Sequence, residues 1–335
     1  MSDREGGGRE HLELGAGREF DAIRVMLARW GPLAAGIGGD CAVLDPPADG
    51  ERLVVSTDTS VEGVHFRRAW MTAAEVGYRA TAAALSDLAA AGARPIGVLV
   101  ALTVPRGWLG DVSALADGIG DAVRGAGTII VGGDTTGGES LSLTVTVLGA
   151  ARSPMTRRGG GARAGDRVYV TGAFGGPAMA VRAWEAGQAP SPEARARFLR
   201  PVPRLAEGRW LAAHGAVAAV DISDGLVADL GHLAAASGVR VRIDLDRVPR
   251  VAGAEARDVA SGGEEYELAV VAPALDVAQF ALTFAGGEEG GGVVLTDIGV
   301  VVPADARGTG VDFVWDEGGA VRRVDASGGY DHFSD

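Results

Sequence analysis

Apolar segments in this chain end, repeatedly, in an acidic residue set among glycine, serine and threonine. The strings are Gly38-Gly39-Asp40, Ser56-Thr57-Asp58-Thr59, Leu85-Ser86-Asp87, Gly132-Gly133-Asp134-Thr135-Thr136 and Asp221-Ile222-Ser223-Asp224-Gly225. A strand that stops at a polar, glycine-containing turn and hands over to a helix is the repeating step of folds that mix sheet and helix. Both halves of the chain carry such a strand–Asp–Gly turn. The class is therefore α/β or α+β, and 335 residues suit two domains.

The elements fall into place around those strings. Residues 1–17 are rich in glycine and charge and read as a flexible tail. A helix is expected over about 18–30, a strand over 53–58 and a helix over the Ala-rich stretch 73–91, stopped by Gly92. A strand follows at 96–104, a helix at 108–124 and a strand at 128–131 that runs into Gly132-Gly133-Asp134-Thr135-Thr136-Gly137-Gly138. Leu141 to Leu148 alternates apolar residues with Ser and Thr, the pattern of a half-buried antiparallel strand. The Arg- and Gly-rich stretch 151–166 divides the chain into an N-terminal domain, 18–150, and a C-terminal domain, 151–335. In the second domain strands are expected at 168–172, 216–222, 239–245, 266–272, 292–301 and 311–316. Helices are expected near 176–186, 203–214 and 225–237.

Composition removes several chemistries. All 31 basic residues are Arg, so there is no Walker A lysine, no kinase strand lysine and no Schiff-base lysine. Cys41 is the only cysteine, which rules out a disulfide framework and a Cys-rich zinc site, and suits the cytoplasm. No run approaches the ~18–20 apolar residues of a membrane helix. With a net charge of −13 the chain is a poor partner for nucleic acid or an anionic membrane. A polyanionic ligand would need metal ions or local Arg.

Carboxylate and hydroxyl oxygens are hard donors, so the acid-bearing strings point to Mg²⁺ rather than zinc. Mg²⁺ takes few carboxylates and completes its shell with water and phosphate oxygens, and six such Asp residues would suit several ions around a polyphosphate. Any one of these acids is equally a turn former or helix cap; their number and the missing Lys favour the metal–phosphate reading. Asp87 stands apart, because it lies inside an apolar helix where an unpaired carboxylate is costly. No zinc spacing links the five histidines, although His65 follows the 53–58 strand closely enough to share its cleft.

Taken in order, the strings GIGGDCAVL, STDTSVEGVHF, ALSDLAAAGARP, VGGDTTGG, RAGDRVYVTG, VDISDGLVADLGHL, SGGEEYEL and GYDHF resemble the thiamine-monophosphate kinase family over nearly the whole chain. That resemblance implies an α/β two-domain fold with an N-terminal mixed sheet that forms a homodimer interface. It implies ATP-dependent phosphorylation of thiamine monophosphate to thiamine diphosphate by direct transfer assisted by Mg²⁺ ions. Carried over by position, Asp40, Ser56, Thr57, Asp58, Asp87, Asp134, Asp221 and Asp224 correspond to the metal shell. Gly133, Asp134 and Ser223 correspond to nucleotide contacts, with Arg158 or its neighbour Arg157 on the ATP phosphates. His65 and Glu264 correspond to contacts with thiamine monophosphate. The chain departs from the family at Gly39, where an aspartate pair is usual, and at Ser327, near which an aromatic residue is expected. The alternatives are another ATP-using synthetase of the same superfamily and a paralogue that binds nucleotide or thiamine phosphate without turnover. The selenophosphate-synthetase version of the first is disfavoured by the missing Lys.

Overall fold

The computed structural model describes residues 17–35, 37, 41–155, 161–286, 292–317 and 320–326. Asp40, Gly39, Arg157, Arg158 and Ser327 lie outside them. The chain forms two compact units. One gathers the described residues up to Ala48 with Val55–Ala84 and Pro95–Gly149; the other takes Asp49–Val54, Leu85–Arg94 and the chain from Ala150 onward.

The first unit is built on α1 (Arg18–Trp30), β1 (Arg52–Val61), α2 (Ala73–Ala90), β2 (Arg94–Val104), α3 (Val112–Gly125), β3 (Ile130–Gly137) and β4 (Ser142–Ala151). A 3-10 turn at Arg106–Asp111 occupies the start of the helix expected from residue 108. The strands make one mixed sheet in the order β1-β4-β2-β3, with β2 and β3 parallel. Alternation decides which face is buried: Leu143, Val145 and Val147 of β4 and Val98, Val100, Leu102 and Val104 of β2 are buried, as are Leu115, Ile119 and Val123 of α3. Helices α2 and α3 cross where both lack a side chain. A Cβ on Gly77 would lie 2.3 Å from the Leu115 carbonyl oxygen, and one on Gly118 would lie 1.9 Å from that of Ala74.

One expectation fails here. The strand expected at 128–131 stops short: β3 runs from Ile130 through Gly137, taking in the segment 132–137. Parallel pairing with β2, Leu99 opposite Gly132 through Val104 opposite Gly137, gives the segment a hydrogen-bonded partner. That tertiary pairing outweighs the weak strand preference of glycine.

The second unit holds β5 (Arg167–Thr171), α4 (Gly176–Glu185), α5 (Pro192–Leu199), α6 (Leu205–Ala213), β6 (Ala218–Asp221), α7 (Leu226–Ser237), β7 (Val239–Asp244), α8 (Ala256–Ser261), β8 (Leu268–Ala272), α9 (Val277–Phe284), β9 (Leu295–Pro303), β10 (Gly310–Glu317) and β11 (Ala320–Ala326). Its seven strands run β11-β10-β7-β9-β5-β8-β6, antiparallel except for β7 beside β10. Both faces of β5, β6 and β8 are covered, which is why these three read as near-continuous apolar runs. Val168, Val170, Val220 and Val271 share one core with Leu226, Leu230 and Leu233 of α7. Tyr169, Ala219, Leu268 and Val270 share another with Leu211 of α6 and Phe280 of α9. Among the described residues no helix is long and apolar enough to cross a membrane.

Candidate active site

In the second unit the sequence-predicted residues meet at one end of the β6–β8 ladder. Asp221 pairs with Leu268 in the last regular register position. Beyond it the two chains stay together: Ile222 N–H donates to the Glu267 carbonyl at 2.9 Å, Tyr266 N–H to the Ile222 carbonyl at 2.9 Å and Glu264 N–H to the Ser223 carbonyl at 2.7 Å. This approach needs glycine at 263, where a Cβ would sit 2.4 Å from the Ser223 carbonyl oxygen. Asp221 is buried, while Ser223, Asp224 and Glu264 are half-buried.

Buried acids hold this end of the ladder in shape. Asp229, on the first turn of α7, accepts the Ser223 and Asp224 N–H groups on one carboxylate oxygen, at 3.0 Å each. Glu265 is buried and accepts the Gly175 N–H at 2.5 Å. Burial pushes the Glu265 carboxyl well above the usual range; the Gly175 hydrogen bond opposes that, while the nearby Glu267 charge adds to it. Glu267 is gripped by both Arg204 nitrogens, at 2.7 and 2.5 Å, and by the Thr171 hydroxyl at 2.6 Å. Burial opposes the charge on Arg204, but the Glu267 charge and hydrogen bonds outweigh it and raise the guanidinium above its ordinary value. Sequence reasoning picked Glu264 from Gly262-Gly263-Glu264-Glu265-Tyr266-Glu267 and passed over Glu265, Glu267 and Asp229. The available signal was three acids among small and apolar residues, which cannot all be solvated.

The first unit places its residues on open strands. Along β1, Ser56 and Asp58 are half-buried on one face, while Thr57 and Thr59 point to the other. The Thr57 hydroxyl shares a 2.9 Å hydrogen bond with Thr146 and the Thr59 hydroxyl one with Thr144, fixing an antiparallel register of β1 on β4. The Thr57 side chain thus faces away from Ser56 and Asp58. Asp58 accepts the Thr59 N–H at 2.9 Å. Asp134 is exposed on β3 and pairs with Ala101, on the face opposite Val100 and Leu102. It therefore shares neither strand nor sheet face with Asp58. A Cβ on Gly133 would lie 2.0 Å from the Val100 carbonyl oxygen, so strand packing alone already demands glycine there.

His65 sits in the turn after β1. Its Nδ1 accepts the Val61 N–H at 3.1 Å, so the neutral ring carries its proton on Nε2. The turn is anchored by Phe66, buried and edge-on to Trp108, whose indole N–H donates to Glu62 at 2.9 Å. Asp87 lies half-buried on α2, in the stretch Leu85–Arg94 that belongs to the second unit. Among the described residues, no three His, Cys, Asp or Glu side chains gather into a metal-holding group.

That donor chemistry still fits Mg²⁺. The oxygens of Ser56, Asp58, Asp221 and Asp224 are hard, and Mg²⁺ held through phosphates asks for only one or two carboxylates per ion rather than an all-protein cage.

Comparison with known proteins agrees along the chain. The model of "AIR synthase related protein, N-terminal domain" matches residues 38–151, and that of "AIR synthase related protein, C-terminal domain" matches 163–311. A thiamine-monophosphate kinase of Salmonella typhimurium is 38% identical over 333 residues, covering 95% of this chain and 96% of the relative. The crystal structure of thiamine-monophosphate kinase from Stenotrophomonas maltophilia superposes with a TM-score of 0.74 at 34% identity, covering 90% of this chain and 98% of that one. A structure of AaThiL complexed with AMPPCP and TMP superposes with a TM-score of 0.71 at 27% identity, covering 94% and 97%.

Proposed function

Because the chain belongs to the thiamine-monophosphate kinase family, within the AIR-synthase-related proteins, we propose that it transfers the γ-phosphoryl group of ATP to thiamine monophosphate, yielding thiamine diphosphate. The observation that carries this reading is the end of the β6–β8 ladder. There the carbonyl of Ser223, a family position for nucleotide, accepts the N–H of Glu264, a family position for the acceptor, beside Asp224, a family position for metal.

The acceptor's phosphate oxygen is already anionic at neutral pH, so the reaction needs no general base from the chain. A loose phosphoryl-transfer transition state asks for alignment and for charge neutralisation. Mg²⁺, when bound, would neutralise the transferring group; Asp40, Ser56 and Asp58 in the first unit and, separately, Asp221 and Asp224 in the second are the residues that would hold ions. The Ser223–Asp224 turn, fixed by Asp229, presents its oxygens without further ordering. His65 offers Nε2–H, a donor suited to an acceptor oxygen. Arg158, or its neighbour Arg157, would supply a cation for the nucleotide phosphates.

A homodimer goes with this reading. The face of the first unit's sheet that carries Val55, Thr57, Thr59, Thr144, Thr146 and Ala101 is apolar to hydroxylic apart from Asp134 on the edge strand β3, and Val55 is 54% exposed. A second copy would cover it.

The test is ADP release from saturating Mg-ATP with thiamine monophosphate or thiamine as acceptor. Only the monophosphate should be phosphorylated, because the missing phosphate removes alignment that can contribute about 7–11 kcal/mol to lowering a barrier. Equal rates with both acceptors would overturn the account of specificity. No rate with either would leave a binding protein without turnover.

A further inference from the structure

Among the described residues only two non-glycine positions have positive φ, Glu264 at 67° and Tyr266 at 52°. A left-handed conformation costs a non-glycine residue on the order of 1–2 kcal/mol, and it persists only where surroundings over-determine it. Here they do. Glu264 N–H is tied to the Ser223 carbonyl, Tyr266 N–H to the Ile222 carbonyl, and the intervening Glu265 is buried with its carboxylate on the Gly175 N–H. The two strained residues flank that anchor, and this path brings the side chains of 264 and 266 onto each other. The Tyr266 hydroxyl donates to Glu264 Oε2 at 2.6 Å. Tyr266 is 8% exposed, so its ring is fixed by packing, whereas Glu264 is half-buried. A buried, rotationally fixed phenol bonded to a partly open carboxylate orients the carboxylate, and not the reverse.

We propose that Tyr266 is a positioning residue for the acceptor: it holds the Glu264 carboxylate in the orientation that receives the thiamine portion of thiamine monophosphate. This rests on the reading of Glu264 as an acceptor contact. The chemistry suits that part of the ligand, since a carboxylate repels a phosphate but accepts hydrogen bonds from an aminopyrimidine and attracts a thiazolium cation. Tyr266 acts entirely through Glu264, so the pair should behave as one unit.

The experiment is a double-mutant cycle read by titration calorimetry of thiamine monophosphate into the full-length chain with Mg²⁺ and a non-hydrolysable ATP analogue. Binding, unlike turnover, remains readable if the chain does not catalyse transfer. Tyr266→Phe keeps the ring and removes the donor; it should weaken the acceptor about tenfold, the loss of one hydrogen bond to a charged group, and leave the affinity for the analogue unchanged. Glu264→Gln should weaken it at least as much, and the double variant no further than Glu264→Gln alone. Glu264→Asp, with Tyr266 intact, withdraws the carboxylate from the phenol and should reproduce the Tyr266→Phe loss. It also tests the idea if Tyr266→Phe does not fold. An unchanged affinity in Tyr266→Phe, or losses that add in the double variant, would overturn the positioning role while leaving Glu264 as a contact. An unchanged affinity in Glu264→Gln would instead overturn the reading of Glu264, and the proposal with it.

Discussion

The two units present site residues in opposite ways. In the first, Ser56, Asp58 and Asp134 project from strands whose pleat alone decides their direction, each an edge strand held on one side by an ordinary ladder. In the second, Asp221, Ser223, Asp224 and Glu264 lie where the β6–β8 ladder gives way to turns, and the buried acids Asp229, Glu265 and Glu267 hold those turns. A carboxylate on a strand can be changed without disturbing what positions it. A carboxylate that accepts backbone N–H groups in the interior is itself the scaffold. The comparison implies that mutations around the second cluster trade activity against stability, and that mutations in the first separate the two.

The largest effect on stability should come from Glu267→Ala. It leaves the Arg204 guanidinium, whose side chain is only 17% exposed, without its carboxylate, and takes the partner from the Thr171 hydroxyl. Removing one member of a buried pair costs about 3–5 kcal/mol. Urea unfolding followed by circular dichroism measures it. A cost under about 1 kcal/mol would mean that water replaces the carboxylate freely, and the second cluster would then be no more built-in than the first.

Glu265→Gln should have an intermediate effect that grows as pH rises. Burial holds the folded carboxyl well above its ordinary value, helped by Glu267 and opposed by the Gly175 N–H and Arg197. The stability tied to that raised value is fully present below the unfolded pKa and is lost as pH rises through the folded one, because the unfolded chain ionises first. Gln keeps an oxygen for Gly175 and cannot ionise. The variant should match the wild type below about pH 4 and gain stability on it progressively as pH rises toward about 8 in thermal unfolding. A gap that stays constant with pH would place the Glu265 charge in water.

How much of this was legible follows the same division. Strand alternation announced β4, and an Ala-rich run closed by Gly92 announced α2, since each signal is local. The continuation of β3 through 132–137 was not legible beyond the apolar run, because that part of the strand exists only through its pairing with β2. Helix α5 had a readable start, Ser191 before Pro192 with the serine side chain accepting the Ala194 N–H, but its polar face concealed it. The acid-bearing turns were found as strings. What the strings could not say was which acids serve ligands and which serve the backbone: Glu264 and Glu265 are adjacent and identical in kind, and only the fold turns one outward and the other onto Gly175.

The smallest effect on stability belongs to Asp58→Asn, and it sharpens the comparison most. Asn keeps an oxygen for the Thr59 N–H, and the position is half-buried on a strand whose other face is tied to Thr144 and Thr146. Unfolding free energy should therefore move by no more than about 0.5 kcal/mol. Turnover with thiamine monophosphate should nevertheless fall by about 100-fold or more, because the variant removes a negative charge where hard donors are needed around phosphates, and electrostatic stabilisation of a transferring group is of that size. Parallel urea unfolding and ADP-release assays on the same preparation separate the two numbers. A large activity loss with a matching stability loss would make Asp58 part of the scaffold, erasing the contrast between the units. Full activity at ordinary Mg²⁺ would remove Asp58 from the metal-holding set, and the first unit's contribution would then have to come from the remaining acids.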